Sequence, residues 1–335
     1  MKIKFLKAGS GDSILIHHGT HNILIDGGNE SKNLLEELYK VYLKNQVIDL
    51  LIITHHDDDH ISGIIDLLKS ILDNKFGIDH NFIKKVIFNS PNLVNGQISP
   101  KGETNLLSYQ QAHEVEIYLN KLNIDWQIYT NESAPIIFSD LQLNFLAPFK
   151  EDIEKYSANK PSYLASDFRC DWESSFHILD KYIDDKSQDI SIANQSSVVI
   201  SVECESKKIL LTGDITPNRL EKIVNNLFSS NNNEPVYYDY IKLPHHASYR
   251  SLNENILKKI KCLNYIISTN SRKHYLPNKR ALLKVLKYVD RDKKEKINFF
   301  FNYKEALTNL NITEKEKRDY SFSVNPNNED YGISF

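Results

Sequence analysis

The chain has 335 residues, 41% hydrophobic and 25% charged, with a formal net charge of −3, the profile of an ordinary globular protein rather than a disordered or fibrous one. No run reaches the roughly 20 apolar residues that cross a bilayer, and Met1–Lys7 alternates like a strand instead of carrying the apolar stretch of a signal peptide. The three cysteines, Cys170, Cys204 and Cys262, have no paired spacing, which indicates neither a disulfide framework nor a cysteine zinc site and sets the expectation of a cytoplasmic protein.

In chain order, strand patterns fall at 3–7, 13–17, 22–26, 48–54 and 85–88, then at 142–146, 197–203, 208–212, 240–243, 265–269 and 297–301. Helical periodicity falls at 32–44, 61–73, 103–122, 217–228, 252–261 and 278–288. Pro217 after Thr216, and Pro277 before Asn278, are start signals for the helices they precede. Early hairpins followed by mixed strand–helix units fit an α/β protein whose helices cover sheets. The stretch 151–190 breaks this rhythm with Asp, Ser, Tyr and Lys, and reads as an insertion or lid. Its Tyr163, Phe168 and Trp172 could stack on bases or belong to the core. The organisation expected is therefore a domain over 1–290 and a C-terminal extension over 291–335, whose polar end from 313 onward reads as partly disordered.

The run His55-His56-Asp57-Asp58-Asp59-His60 stands between an apolar strand and a helix-like segment. Six imidazoles and carboxylates in a row repel or compete unless a cation gathers them, and these are common ligands of divalent metals. Strand-to-helix connections are also where scaffolds present chemistry. Four further strand ends carry polar groups: Gly11-Asp12-Ser13, Asp26-Gly27-Gly28, Thr212-Gly213-Asp214 and Pro244-His245-His246-Ala247-Ser248. Each alone is a turn signal. Together they point to one metal site assembled from several strand ends. Charge is uneven as well. From Arg250 to Lys296, fourteen Lys and Arg face four acids, a balance of +10. Lys258, Lys259, Lys261, Arg272, Lys273, Lys279, Arg280, Lys284 and Lys287 could form a phosphate-attracting face, or simply coat two amphipathic helices.

The order Gly11-Asp12-Ser13, Asp26-Gly27-Gly28, Thr54-His55-x-Asp57-x-Asp59-His60-x-x-Gly63, Asn194-x-x-Ser197, Leu211-Thr212-Gly213-Asp214 and Pro244-His245-His246-x-Ser248 resembles the metallo-β-lactamase superfamily. Most specifically it is similar to the hydrolase domain of the competence DNA-uptake channel, ComEC, and its stand-alone relatives, over about Met1 to Tyr288. The resemblance implies an αββα sandwich, one or two divalent metal ions (Zn or Mn) and hydrolysis. It implies His55 and Asp57 on one metal, Asp59 and His60 on the other, Asp214 between them and His245 completing the second site. Asp59 and Asp214 are the expected catalytic carboxylates. Asp26 would orient the ligand loop, with Asp12 and Asn194 also beside it. A shifted register, His56-x-Asp58-x-His60, and His246 in place of His245 remain the alternatives.

Two positions depart from the wider superfamily, Asp57 and Asn194 standing where most members carry histidine. More oxygen donors favour Mn²⁺ or Mg²⁺. Ser248 and His274 are the residues expected to touch substrate; Leu276, not histidine, precedes Pro277. The function expected is a phosphodiesterase or nuclease acting on nucleic acid or nucleotide diesters. The same fold could hydrolyse a peptide, lactone or thioester, or serve as a metal-stabilised interaction module without turnover.

Overall fold

The computed structural model describes residues 1–90, 93–94, 107–153, 170–184, 187–205, 207–292 and 294–335. Tyr163 and Phe168 lie outside them. Two mixed sheets stack face to face. The first runs in the order Gly332–Ser334, Lys2–Leu6, Ile14–His18, His21–Ile25, Leu50–Ile53, Val86–Phe88, Trp126–Gln127. The second runs Phe322–Asn325, Ile297–Phe301, Asn264–Ile267, Tyr240–Lys242, Lys207–Leu211, Val199–Cys204, Leu141–Ala147, Ile136–Phe138.

The strands are apolar on both faces because both faces are covered, as period-two alternation requires. In the first sheet Ile14, Ile16, Ile23, Ile25, Leu50 and Ile52 point inward to Leu143, Phe145, Ile200, Val202, Ile209 and Leu211 of the second. Their alternates Leu15, Leu24, Leu51 and Ile53 point outward, to helices Lys32–Tyr42, Asp58–Leu72 and Leu107–Lys121. On the far side, Leu210, Ile241, Tyr265 and Ile267 meet helices Pro217–Ser230 and Lys279–Tyr288. Three apolar slabs between four layers make the αββα sandwich that the family resemblance implies.

Several boundaries differ from expectation, each for a physical reason. The helix expected from Ile61 starts at Asp58, so the acidic run is half connection and half first helical turn. Asp58 and Asp59 sit where the helix dipole favours negative charge. The periodicity at 252–261 yields only the turn Glu254–Leu257 before the short strand Ile260–Lys261. The segment 291–335 is not a tail. Ile297–Phe301 and Phe322–Asn325 extend the second sheet, and Gly332–Ser334 pairs with Lys2–Leu6. Within the expected lid, the helix Phe176–Asp180 inserts Phe176 and Leu179 into the outer slab. Trp172 donates to Pro277 O at 2.8 Å, makes a T-shaped contact with the Tyr275 ring and packs partly buried against the outer slab.

Candidate metal centre

The inner ends of both sheets meet at one cleft. Thr54 and His55 follow the strand Leu50–Ile53, and the chain turns into the helix through Asp57. Gly63 lets that helix press onto the Asp26-Gly27-Gly28 turn: a Cβ there would stand 2.0 Å from Gly27 O. Gly27 N donates to His60 O and Gly63 N to Gly28 O, both at 2.8 Å. Gly11 is equally constrained, since its Cβ would lie 1.7 Å from Asp59 O. From the second sheet, Asp214 follows Lys207–Leu211, and His245 and His246 follow Tyr240–Lys242. His245, His246 and Ala247 are consecutive residues with positive φ, 47°, 52° and 65°. Such a run is costly for residues with a Cβ and characteristic of functional sites.

Asp26 fixes the first-sheet half. One oxygen accepts from Thr54 N at 2.8 Å; the other accepts from Thr54 Oγ1 at 2.6 Å and pairs with His60 Nδ1 at 2.7 Å. His60 Nε2 is thereby turned to Asp214 Oδ2, 3.4 Å away. On the other sheet His246 Nδ1 is held by Ser268 O at 2.8 Å, and its Nε2 lies 3.2 Å from Asp214 Oδ2 and 3.6 Å from an Asp59 oxygen. His55 Nε2 stands 3.6 Å from an Asp57 oxygen. His55, His60 and Asp214 form one group of donors within metal-sharing distance, and Asp59, His60 and His246 a second.

His245 takes a different place from the one expected. Its Nδ1 is 2.9 Å from Asp189 Oδ2, and its Nε2 is 3.9 Å from Asp214 Oδ2. Asn194 donates to the same Asp189 oxygen at 2.7 Å. Asp189, Asn194 and His245 therefore form one cluster, and His246 rather than His245 accompanies Asp59. His56 points away, against the Tyr109 ring. Burial pushes its imidazole down to about 4. Asp58 bonds Ser62, Gln111 and Lys273. Of the two registers, it is His55, Asp57, Asp59 and His60 whose side chains gather.

Behind Asp214 lies Lys242, which no motif marked. Its fully buried ammonium is 2.5 Å from Asp12 Oδ2, donates to Gly213 O at 3.0 Å and lies 3.5 Å from Asp214 Oδ1. Burial would raise the Asp214 carboxyl, but His246, His60, Lys242 and His245 around it hold it well below the usual range. Burial would lower His245, yet Asp214 and Asp189 lift it to about 9.

The fit to a metal rests on orphaned atoms. His55 Nε2, His60 Nε2, His246 Nε2, Asp12 Oδ1 and Asn194 Oδ1 are buried with no hydrogen-bond partner. Leaving such atoms unsatisfied is expensive, and imidazole nitrogens aimed at carboxylates are a metal donor set. The cleft mouth is lined by Ser10, Thr269, Lys273, His274 and Leu276 facing Asp57, Asp59, Asp214, His245 and His246. His274 thus lies at the cleft. Ser248 is buried and not among the lining residues.

The basic stretch does not form a continuous face. Lys279, Arg280 and Lys284 are buried; Lys284 donates to Tyr249 O and Leu252 O. Lys258 pairs with Glu254, Lys287 with Asp180 and Arg272 with Glu30, and Lys259 bonds Asn225. Of the nine cations singled out in the sequence, only Lys273 lines the cleft.

Residues 6–81 match the family model of the metallo-beta-lactamase superfamily. No curated protein matches the chain. Among solved structures, the metallo-beta-lactamase fold protein YhfI from Bacillus subtilis aligns over 100% of this chain and 98% of its own, at 10% identity and a TM-score of 0.45. Zn²⁺-bound PqqB from Methylobacterium extorquens aligns over 100% and 99%, at 9% identity and a TM-score of 0.46. Among the described residues no helix is long and apolar enough to cross a membrane. The family match over residues 6–81 and the four-layer sandwich around them give this chain the metallo-β-lactamase fold.

Proposed function

We propose that the chain is a metal-dependent hydrolase of phosphodiesters, acting on nucleotide or nucleic-acid diesters, as its likeness to the competence-channel hydrolase domain implies. The observation that carries this reading is the convergence of three partnerless imidazole nitrogens, on His55, His60 and His246, around Asp214. One ion would be held by His55, Asp57 and Asp214, with Asn194 Oδ1 and His245 on that side. The other would be held by Asp59, His60, His246 and Asp214. The oxygen-rich first set suits Mn²⁺ or Mg²⁺.

When bound, divalent cations supply Lewis acidity that makes water a competent nucleophile at neutral pH. The chain's own residues do the rest. Asp26 and Ser268 O orient the two imidazoles through their Nδ1 atoms, as outer partners of metal ligands commonly do. Lys242 engages Asp214 Oδ1 and leaves Oδ2 facing the histidines. Asp59, which lines the cleft, would accept a proton from the attacking water, and Lys273 and His274 on the same lining would meet the phosphate. Since Lys273 is the one of the nine cations singled out in the sequence that lines the cleft, a short or cyclic diester fits it better than a long duplex.

The test is hydrolysis of bis-p-nitrophenyl phosphate by chelator-stripped protein re-supplied with Mn²⁺ or Zn²⁺, beside Asp59→Ala. Turnover is expected only with metal and with Asp59 intact. Metal bound to stoichiometry with no turnover would overturn the phosphodiesterase reading and direct attention to lactones, thioesters and peptides.

A further inference from the structure

A second cluster of metal-ligating side chains lies at the opposite end of the sandwich. His18 is the last residue of Ile14–His18, a strand paired antiparallel with His21–Ile25, which ends beside Asp26. Cys204 is the last residue of Val199–Cys204, paired antiparallel with Lys207–Leu211, which leads to Asp214. Both therefore stand about four residues, or roughly 13 Å, along their strands from the ends that reach the cleft. Asp140 sits in the tight turn between Ile136–Phe138 and Leu141–Ala147, a turn enabled by the positive φ of Ser139. Leu141 pairs with Cys204 in the sheet, which brings Asp140 over the thiol.

We propose that His18, Asp140 and Cys204 form a zinc site that joins the two sheets at this end. The three donors come within 4.8 Å of one another. Cys204 Sγ lies 3.6 Å from Asp140 Oδ2, matching the edge of about 3.6 Å between sulfur and oxygen on a tetrahedral zinc. It lies 3.7 Å from His18 Nδ1. His18 Nε2 and Asp140 Oδ1 share a proton at 2.7 Å. The two nitrogens of His18 face the carboxylate and the thiol separately, so one ion taking sulfur, one nitrogen and one oxygen needs the imidazole to turn and a nitrogen–oxygen edge of about 3.4 Å; the half-exposed Asp140 side chain leaves room for both. Cys204 is 4% exposed and its sulfur meets only these two partners among its described hydrogen bonds, whereas the thiol of Cys262 is satisfied by backbone carbonyls. Binding releases two protons to solvent, that of the thiol and that shared by His18 and Asp140, and forms a sulfur–zinc bond, with imidazole and carboxylate as the other protein ligands and the solvent side left for water.

Spacing concealed this site, because its ligands come singly from three places in the chain. The protein offers a clean assay for it, since the cleft cluster has no sulfur donor. Full-length protein is stripped with a chelator and titrated with Co²⁺, and the near-ultraviolet thiolate-to-cobalt charge-transfer band is followed. The band is expected in the wild type and in Asp59→Ala, and is expected to vanish in Cys204→Ser with the loss of one bound ion. No band in the wild type, or one undiminished in Cys204→Ser, would overturn the site. Should Cys204→Ser fail to fold, Asp140→Asn in the exposed turn decides: cobalt affinity at the band falls at least about tenfold, as loss of even an outer partner does. An unchanged affinity overturns the proposal.

Discussion

Asp26 places both of its oxygens on the ligand loop, and Lys242 divides its ammonium between Asp12 and Asp214; around these two buried groups the rest of the centre is arranged. The roles of the paired histidines follow from their other ring nitrogens. His246 Nδ1 is fixed by a backbone carbonyl and its Nε2 is free to ligate, while His245 is anchored on Asp189 and stands farther from Asp214. Changing His246 to Ala should therefore weaken metal binding by more than the roughly 10–100-fold typical of outer partners, and His245→Ala by an amount within that range. Isothermal titration with Mn²⁺ and Zn²⁺ checks the ranking, and equal losses would mean that both imidazoles are ligands. Sequence made His55, Asp57, Asp59, His60 and Asp214 visible because they cluster or end apolar strands. It put His245 ahead of His246, because the difference lies in left-handed backbone angles that sequence does not display. Asp189 sat in a polar stretch with no pattern. Lys242 did leave a trace: a lysine within the apolar run Tyr240–Leu243 has to find a partner if buried.

At the level of elements, the helix Asp58–Leu72 works as a positioning rod. Its first turn carries Asp59 and His60, and its seating depends on a bare glycine against a glycine turn. Gly63→Ala inserts a methyl group against Gly27 backbone that cannot yield, which should cost at least about 1–3 kcal/mol and displace His60 from Asp26. Denaturant melts together with metal content would show this as a coupled loss. A stable variant with full metal would mean that the helix seats by other contacts. Helices and inner strands were legible from periodicity, because each buries a stripe or both faces. The short strands Gly332–Ser334 and Trp126–Gln127 were not, being defined by their partners rather than by their own composition.

Over the whole molecule, the C-terminal residues act as a clasp. Glu316 accepts from Phe176 N and Thr313 N and pairs with the buried Lys279. It ties the last helix to the 170–184 segment and to Lys279–Tyr288. Burial would raise its carboxyl, but the Thr313 and Phe176 amides and the Lys279 ammonium outweigh this and hold it below 4.5. A depressed folded-state value means that the stabilisation is present above about pH 4.5 and is lost as the pH falls through the lower folded value. Glu316→Gln should cost about 1.5–3 kcal/mol at neutral pH and flatten the acid limb of a plot of Tm against pH. An unchanged acid limb would remove Glu316 from the clasp.

The division of strands between the sheets follows the chain almost in halves. All strands of the first sheet except Gly332–Ser334 lie at or before Gln127, and all of the second lie from Ile136 to Asn325. His55, Asp57, Asp59 and His60 belong to one half, and Asp214, His245 and His246 to the other. Neither half owns the full donor set around Asp214. Severed in the connection between Gln127 and Ile136, the two fragments should load metal as the intact chain does only after they have met, although Asp12, Asp26 and His60 stay together in the first. The proposed centre is a coincidence gate written into the topology, complete only when both halves are folded and in register.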